Sequence, residues 1–75
     1  MSNKQFCIEI GKRVRRLRKE QGFTQDELSQ KADITEKFVY MIEKGERGLS
    51  PLSLYSLSRA PGVTADYLLC GEDGK

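Results

Sequence analysis

Histidine and tryptophan are absent from this 75-residue chain, which holds only two prolines and two cysteines. Without histidine, no serine or cysteine has a conventional general base, so the chain is not expected to be an enzyme. Cys7 and Cys70 lie near opposite ends, with no Cys-x-x-Cys spacing. A zinc site is therefore excluded, and the thiols are expected to be free in a reducing, cytoplasmic compartment. No apolar run exceeds Phe38–Ile42. Neither a membrane span nor a signal-peptide core is expected, and no motif calls for a cofactor or a metal. What remains, 37% hydrophobic and 32% charged residues, suits one small helical domain over residues 1–75 with an ordered core of about 4–71.

The net charge of +2 hides an asymmetry. Residues 1–31 carry eight Lys/Arg against four acids, whereas the remainder carries five against seven. A basic end and a mildly acidic end suit a polyanion met on one side only, although a solvated helix face accounts for most of the basic run equally well.

The stretch from Thr24 to Gly45, TQDELSQKADITEKFVYMIEKG, is the most informative. Thr24 and Glu27 have capping-box spacing, and Thr35 repeats the N-cap before a second periodic run containing Val39 and Ile42. Ala32-Asp33-Ile34 leaves too little chain between the two helices for an antiparallel pair. They must cross steeply, as in a helix-turn-helix, whose second helix matches the width of the DNA major groove. Double-stranded DNA is the partner this implies.

The pattern predicts five helices, the second and third of them forming that unit. The first runs from about Lys4 to Gln21, with Phe6, Ile10, Val14 and Leu17 on one stripe, Cys7 at its edge, and Gly22 as the stop. The second covers about Gln25 to Ala32 and buries Leu28 and Ala32. The third covers about Glu36 to Lys44 and ends at Gly45. Ser50-Pro51 starts a fourth, with Leu52, Tyr55, Leu54 and Leu57 inward, until Pro61-Gly62 stops it. Thr64 caps a fifth, Ala65 to about Leu69, where Tyr67 and Leu68 close the core; Glu72 to Lys75 reads as a frayed tail.

Unrolled at about 100° per residue, the third helix turns Val39 and Ile42 to the core, with Phe38 at its edge. Lys37, Met41 and Lys44 point away, and Glu36 and Tyr40 lie on a flank. Lys37 can donate to guanine, Glu36 can accept from cytosine, and Met41 can touch a thymine methyl. For Met41 and Tyr40, partial core packing is the competing reading. Thr35, Lys44 and Arg47 stand where a helix N-terminus and loop cations meet phosphate, though Arg47 also reads as a solvated loop residue. Arg13 and Arg16 are at most peripheral phosphate contacts. Arg18 and Glu43 fall on apolar faces, so each needs a partner.

Four segments in this order and spacing, GKRVRRLR (Gly11–Arg18), GFTQDEL (Gly22–Leu28), TEKFVYMIEKG (Thr35–Gly45) and VTADYLL (Val63–Leu69), resemble the phage-repressor and Cro-like helix-turn-helix family, also called XRE. The resemblance covers about Ile10 to Gly71. It implies an all-α, five-helix domain of the lambda-repressor-like type and a sequence-specific transcriptional regulator on a palindromic operator. It assigns base reading to Glu36, Lys37 and Met41, with Tyr40 beside them. Gln25 falls to a phosphate contact that also buttresses the start of the third helix, and Arg18 with Glu43 to a buried ion pair. Three positions depart from the usual pattern: Ser29 replaces Ala, Asp33 replaces Gly, and Pro61 replaces Leu. Asp33 is therefore expected in the left-handed region, which Asp tolerates. The family also implies a homodimer built on Pro61 to Cys70, with Val63, Ala65 and Leu69 as apolar contacts and core packing as the other use of Leu69.

A restriction-modification controller or an antitoxin would share these features. The alternative from another class is a protein–protein interaction module on the same fold. It predicts an apolar or acidic third-helix surface, which Lys37, Lys44 and Arg47 argue against and which Met41 and Tyr40 keep open.

Overall fold

Each helix begins on a hydroxyl. In the computed structural model, which describes residues 2–60 and 62–71, the elements are α1 (Asn3–Glu20), α2 (Gln25–Ala32), α3 (Glu36–Glu43), α4 (Pro51–Ser58) and α5 (Ala65–Cys70). Ser2, Thr24, Thr35, Ser50 and Thr64 each accept a hydrogen bond from the backbone N–H three residues on, satisfying a donor that the first turn would otherwise leave free. At α2 the box is complete: Thr24 N donates to Glu27 Oε1 at 2.9 Å, and Glu27 N donates to Thr24 Oγ1 at 3.1 Å. That backbone bond holds the Glu27 carboxyl below its usual pKa.

Asp33 closes α2 with φ 58° and ψ 44°, the one non-glycine residue at positive φ among those described. Ile34 N then donates to Ser29 O at 3.0 Å, and the Ile34 side chain packs against the core. The turn thus takes only Asp33 and Ile34 before Thr35 caps α3, which packs against α2.

The core is one cluster: Ile10, Val14 and Leu17 of α1, Leu28 and Ala32 of α2, Val39 and Ile42 of α3, Leu57 of α4, Ala60, Val63, and Leu68 of α5. Phe6 lies beyond it, exposed at the rim of an apolar groove of about 480 Å³ that also takes in Leu49, Leu54 and Leu69. Its first-turn position leaves it outside the stripe it was expected to share. α1 ends at Glu20 with Gln21 as its cap, and α5 runs one residue further than predicted, to Cys70. Pro61 and the tail Glu72 to Lys75 lie outside the described residues.

α4 corrects the sequence reading. Leu52 and Tyr55 are 73% and 61% exposed, and the buried face is Ser53, Ser56 and Leu57, continued by Ala60. Those positions fall at i, i+3, i+4 and i+7, the spacing of one helix stripe. Small side chains let α4 lie close against α2 and α5, and the Ser53 hydroxyl is satisfied by Ser50 Oγ at 2.9 Å. Shape, not hydrophobicity, chose the buried face.

α3 packs against both α1 and α2. Where α1 crosses it, Gly11 is buried, and a Cβ there would strike the Ile42 carbonyl oxygen and stand 3.0 Å from the Glu43 carbonyl oxygen. Gly11→Ala should therefore destabilise the domain by about 1–3 kcal/mol through overpacking, despite a gain of about 1 kcal/mol in helix propensity. Urea unfolding checks this: a variant as stable as the parent would mean that α1 and α3 can part without cost.

Candidate nucleic-acid interface

The placement of α3 rests on a buried charge. Glu43 lies on the core side of α3, and its side chain is only 4% exposed. Arg18, 12% exposed, donates from Nε to Glu43 Oε2 at 2.7 Å and from Nη2 to Oε1 at 3.1 Å. Its remaining nitrogen, Nη1, donates to Phe23 O at 2.9 Å. The fork geometry of guanidinium on carboxylate is the strong, oriented form of an ion pair. Gln25 Nε2 adds a bond to Glu43 Oε1 at 3.2 Å. The end of α1, the loop after it, the start of α2 and the end of α3 are joined through one carboxylate. Gln25 was expected to brace the start of α3, but it braces the end, because Glu43 is the acceptor within its reach.

With Val39 and Ile42 fully buried, the opposite face of α3 is presented outward. Glu36, Lys37 and Tyr40 are exposed and Met41 is half-buried. Lys37 and Met41 line a shallow groove of about 310 Å³ with Thr35, Phe38 and Arg47. The Arg47 guanidinium rests 5.4 Å from the centre of the Phe38 ring, so this loop cation is held against α3 rather than left to wander. Thr35 is exposed at the head of the same groove, its Oγ1 accepting from Phe38 N at 3.1 Å.

Tyr40 and Lys44 form a second cluster. Lys44 Nζ lies 5.1 Å from the Tyr40 ring centre and 3.7 Å from Glu46 Oε2. Tyr40 first, and Glu46 after it, raise the Lys44 pKa above its ordinary value. Glu46 was not singled out from sequence; its position two residues after Lys44, across the turn at Gly45, was the available signal.

The other basic candidates lie elsewhere. Arg13 Nη1 donates to the Leu68 and Leu69 carbonyl oxygens, both at 3.1 Å, and so caps the C-terminal end of α5. Arg16 pairs with Glu20 at 3.0 Å. Both line a cleft with Tyr67 and Cys70, between α1 and α5. Of these two, expected at most as peripheral phosphate contacts, Arg13 is bonded to α5, and Arg16 stays 70% exposed within its surface pair. Val63 is buried rather than available for apolar contact, Ala65 is half-buried and Leu69 is 40% exposed. Among the described residues no group of acidic or cysteine side chains is arranged to hold a metal ion, and no helix is long and apolar enough to cross a membrane.

Arg18→Ala should cost about 3–5 kcal/mol, because it strands the Glu43 carboxylate in the core. The paired replacement Arg18→Met with Glu43→Leu should recover most of that loss, since an apolar pair carries no desolvation penalty. Thermal unfolding of the three proteins decides it. An Arg18→Ala protein that melts with the parent would show that the pair does not anchor α3.

Residues 14–68 match the family described as Helix-turn-helix. The chain is 33% identical over 64 residues to an uncharacterized HTH-type transcriptional regulator, y4dJ, of Sinorhizobium fredii, spanning 85% of this chain and 83% of that protein. It is 34% identical over 64 residues to the HTH-type transcriptional regulator RamB of Mycobacterium tuberculosis, of which it spans only 14%. Among solved structures it superposes on the restriction-modification controller protein C.AhdI from Aeromonas hydrophila with a TM-score of 0.78 and 26% identity, covering 83% of this chain and 94% of that one. A family match over most of the chain, a relative matched nearly end to end, and the outward-facing α3 all agree: this chain belongs to the helix-turn-helix family of DNA-binding transcriptional regulators, and it is not an enzyme.

Proposed function

We propose that the chain is a sequence-specific regulator that binds a two-fold symmetric operator as a homodimer in the cytoplasm, with α3 of each subunit in the major groove. The observation that carries this reading is the outer face of α3, where Lys37, Met41 and Arg47 share a groove beside Thr35 on a helix fixed from behind by Glu43. In this role Lys37 donates to guanine O6 or N7, Glu36 accepts from cytosine N4, Met41 packs on a thymine methyl and Tyr40 flanks them. Arg47, Lys44 and the Thr35 hydroxyl meet the phosphates on either side. Gln25, with one amide hydrogen given to Glu43, keeps the other for phosphate at the head of α2.

A single α3 of eight residues spans only a few base pairs, so a two-fold pair with helices about 34–36 Å apart supplies the rest of the site. Leu69 on α5 and the outer side of α4, with Leu52 and Tyr55, provide apolar surface for such a pair. A strict monomer in sedimentation, occupying one half-site on DNA, would refute this part of the reading.

The roles of the two cations separate experimentally on the operator selected from random-sequence DNA. Lys37→Ala should relax discrimination at one base position by about 1–3 kcal/mol. Arg47→Ala should weaken binding on all sequences alike and flatten the dependence of log K on log salt by about one unit. Affinities across a salt series, on operator and scrambled DNA, test both. If neither substitution moved any curve, the protein-interaction reading, which the exposed Tyr40, Leu52 and Tyr55 favour, would replace this one.

A further inference from the structure

Resting on the reading of α3 as the DNA-binding element, we propose that Glu46 is a built-in competitor for phosphate that lowers the affinity of this face for DNA by occupying Lys44. Lys44 Nζ stands 3.7 Å from Glu46 Oε2, and both side chains are about half exposed, at 49% and 52%. The pair is therefore formed on the surface, where an incoming phosphate can exchange for the carboxylate.

The backbone makes the competitor a fixed one. Lys44 N donates to Tyr40 O at 3.1 Å, Gly45 N to Ile42 O at 3.0 Å and Glu46 N to Met41 O at 3.0 Å, so the chain is tied to α3 through the whole turn. Gly45 makes the turn at φ 77°, where a Cβ would press within 2.9 Å of the Ile8 side chain. The turn thus has little freedom to carry Glu46 away from Lys44. On its other side Lys44 lies against the Tyr40 ring. The ammonium is thus within reach of both an aromatic ring and a carboxylate.

Charge exchange of this kind has a thermodynamic signature. A lysine that meets DNA from solvent helps release one condensed counterion from the phosphate it neutralises. A lysine that must first leave Glu46 exposes a carboxylate beside the DNA backbone, and that carboxylate recruits a cation back. The parent should therefore release about one counterion fewer than a variant without the carboxylate. Because the contact is to phosphate, the effect carries no sequence information.

The test is Glu46→Gln, measured against Glu20→Gln, which removes the same charge from the Arg16 pair on α1. Binding to selected and scrambled duplexes is followed by fluorescence anisotropy across a salt series. Glu46→Gln should bind about three- to ten-fold more tightly at low salt, equally on both duplexes, and steepen the log K against log salt slope by about one unit. Glu20→Gln should leave affinity within about twofold of the parent. In a Lys44→Ala background the gain from Glu46→Gln should fall to about twofold or less. Three results overturn the proposal while leaving the DNA-binding reading intact: a parent that binds DNA with Glu46→Gln no tighter, an equal gain from Glu20→Gln, or an undiminished gain without Lys44. A parent that binds neither duplex at any salt overturns both.

Discussion

Glu43 carries the one charge in α3 that faces the core, and the protein surrounds it with three donor contacts, two from Arg18 and one from Gln25. Leaving any of them out would leave a carboxylate oxygen under-satisfied at a site with almost no access to water. The consequence is geometric. An eight-residue helix is marginal by itself, and α3 takes its shape from its two ends. Thr35 and the Asp33 turn define where it starts; Gly45 ends it, and the Glu43 network and the close approach of Gly11 anchor that end against the fold. A face presented at a set angle, with little freedom to rock, is what base reading requires, because a hydrogen bond to a base edge tolerates little displacement.

Much of this was legible because it depends on neighbours in the chain. Thr24, Thr35, Ser50 and Thr64 mark helix starts by local hydrogen bonding, and a sequence shows local hydrogen bonding directly. The wheel of α3 was legible too, since Val39 and Ile42 are its strongly apolar pair. The Arg18–Glu43 pair could be argued because two charges on two apolar faces demand each other. Asp33 followed from the tightness of the turn together with the family resemblance.

What escaped depends on how separate helices fit. Gly11 enters the sequence reading only as the first residue of a family-like segment; the approach of α3 is what makes the absent Cβ matter. On α4 the larger apolar residues, Leu52 and Tyr55, were taken for the buried side, yet steric closeness favoured Ser53, Ser56 and Ala60. Arg13 reaches carbonyl oxygens more than fifty positions along the chain, a contact that no local pattern announces. In each case the missing information is a distance between elements.

Those same distances change the meaning of the basic run in α1. Arg13 is bonded to α5, Arg16 to Glu20, Arg18 to Glu43, and Lys12 lies 3.8 Å from Glu9. Among the described residues only the Arg18–Glu43 pair joins this basic end to an acid outside it, so these contacts position four side chains without cancelling the excess of positive charge. On and beside α3 the cations are Lys37, Lys44 and Arg47, set against Glu36 and Glu46. On the proposed reading two cations of this set, Lys44 and Arg47, neutralise phosphate, which corresponds to a salt slope of only about −2 per subunit. That reading makes the electrostatic share of one subunit's affinity modest. The proposed pairing of two subunits on one duplex would make the second contact intramolecular and raise the total without adding charge to either face. On the same reading a nearly balanced surface gains in return: weak attraction to arbitrary DNA would leave a larger share of the binding energy to the base edges, where sequence is read.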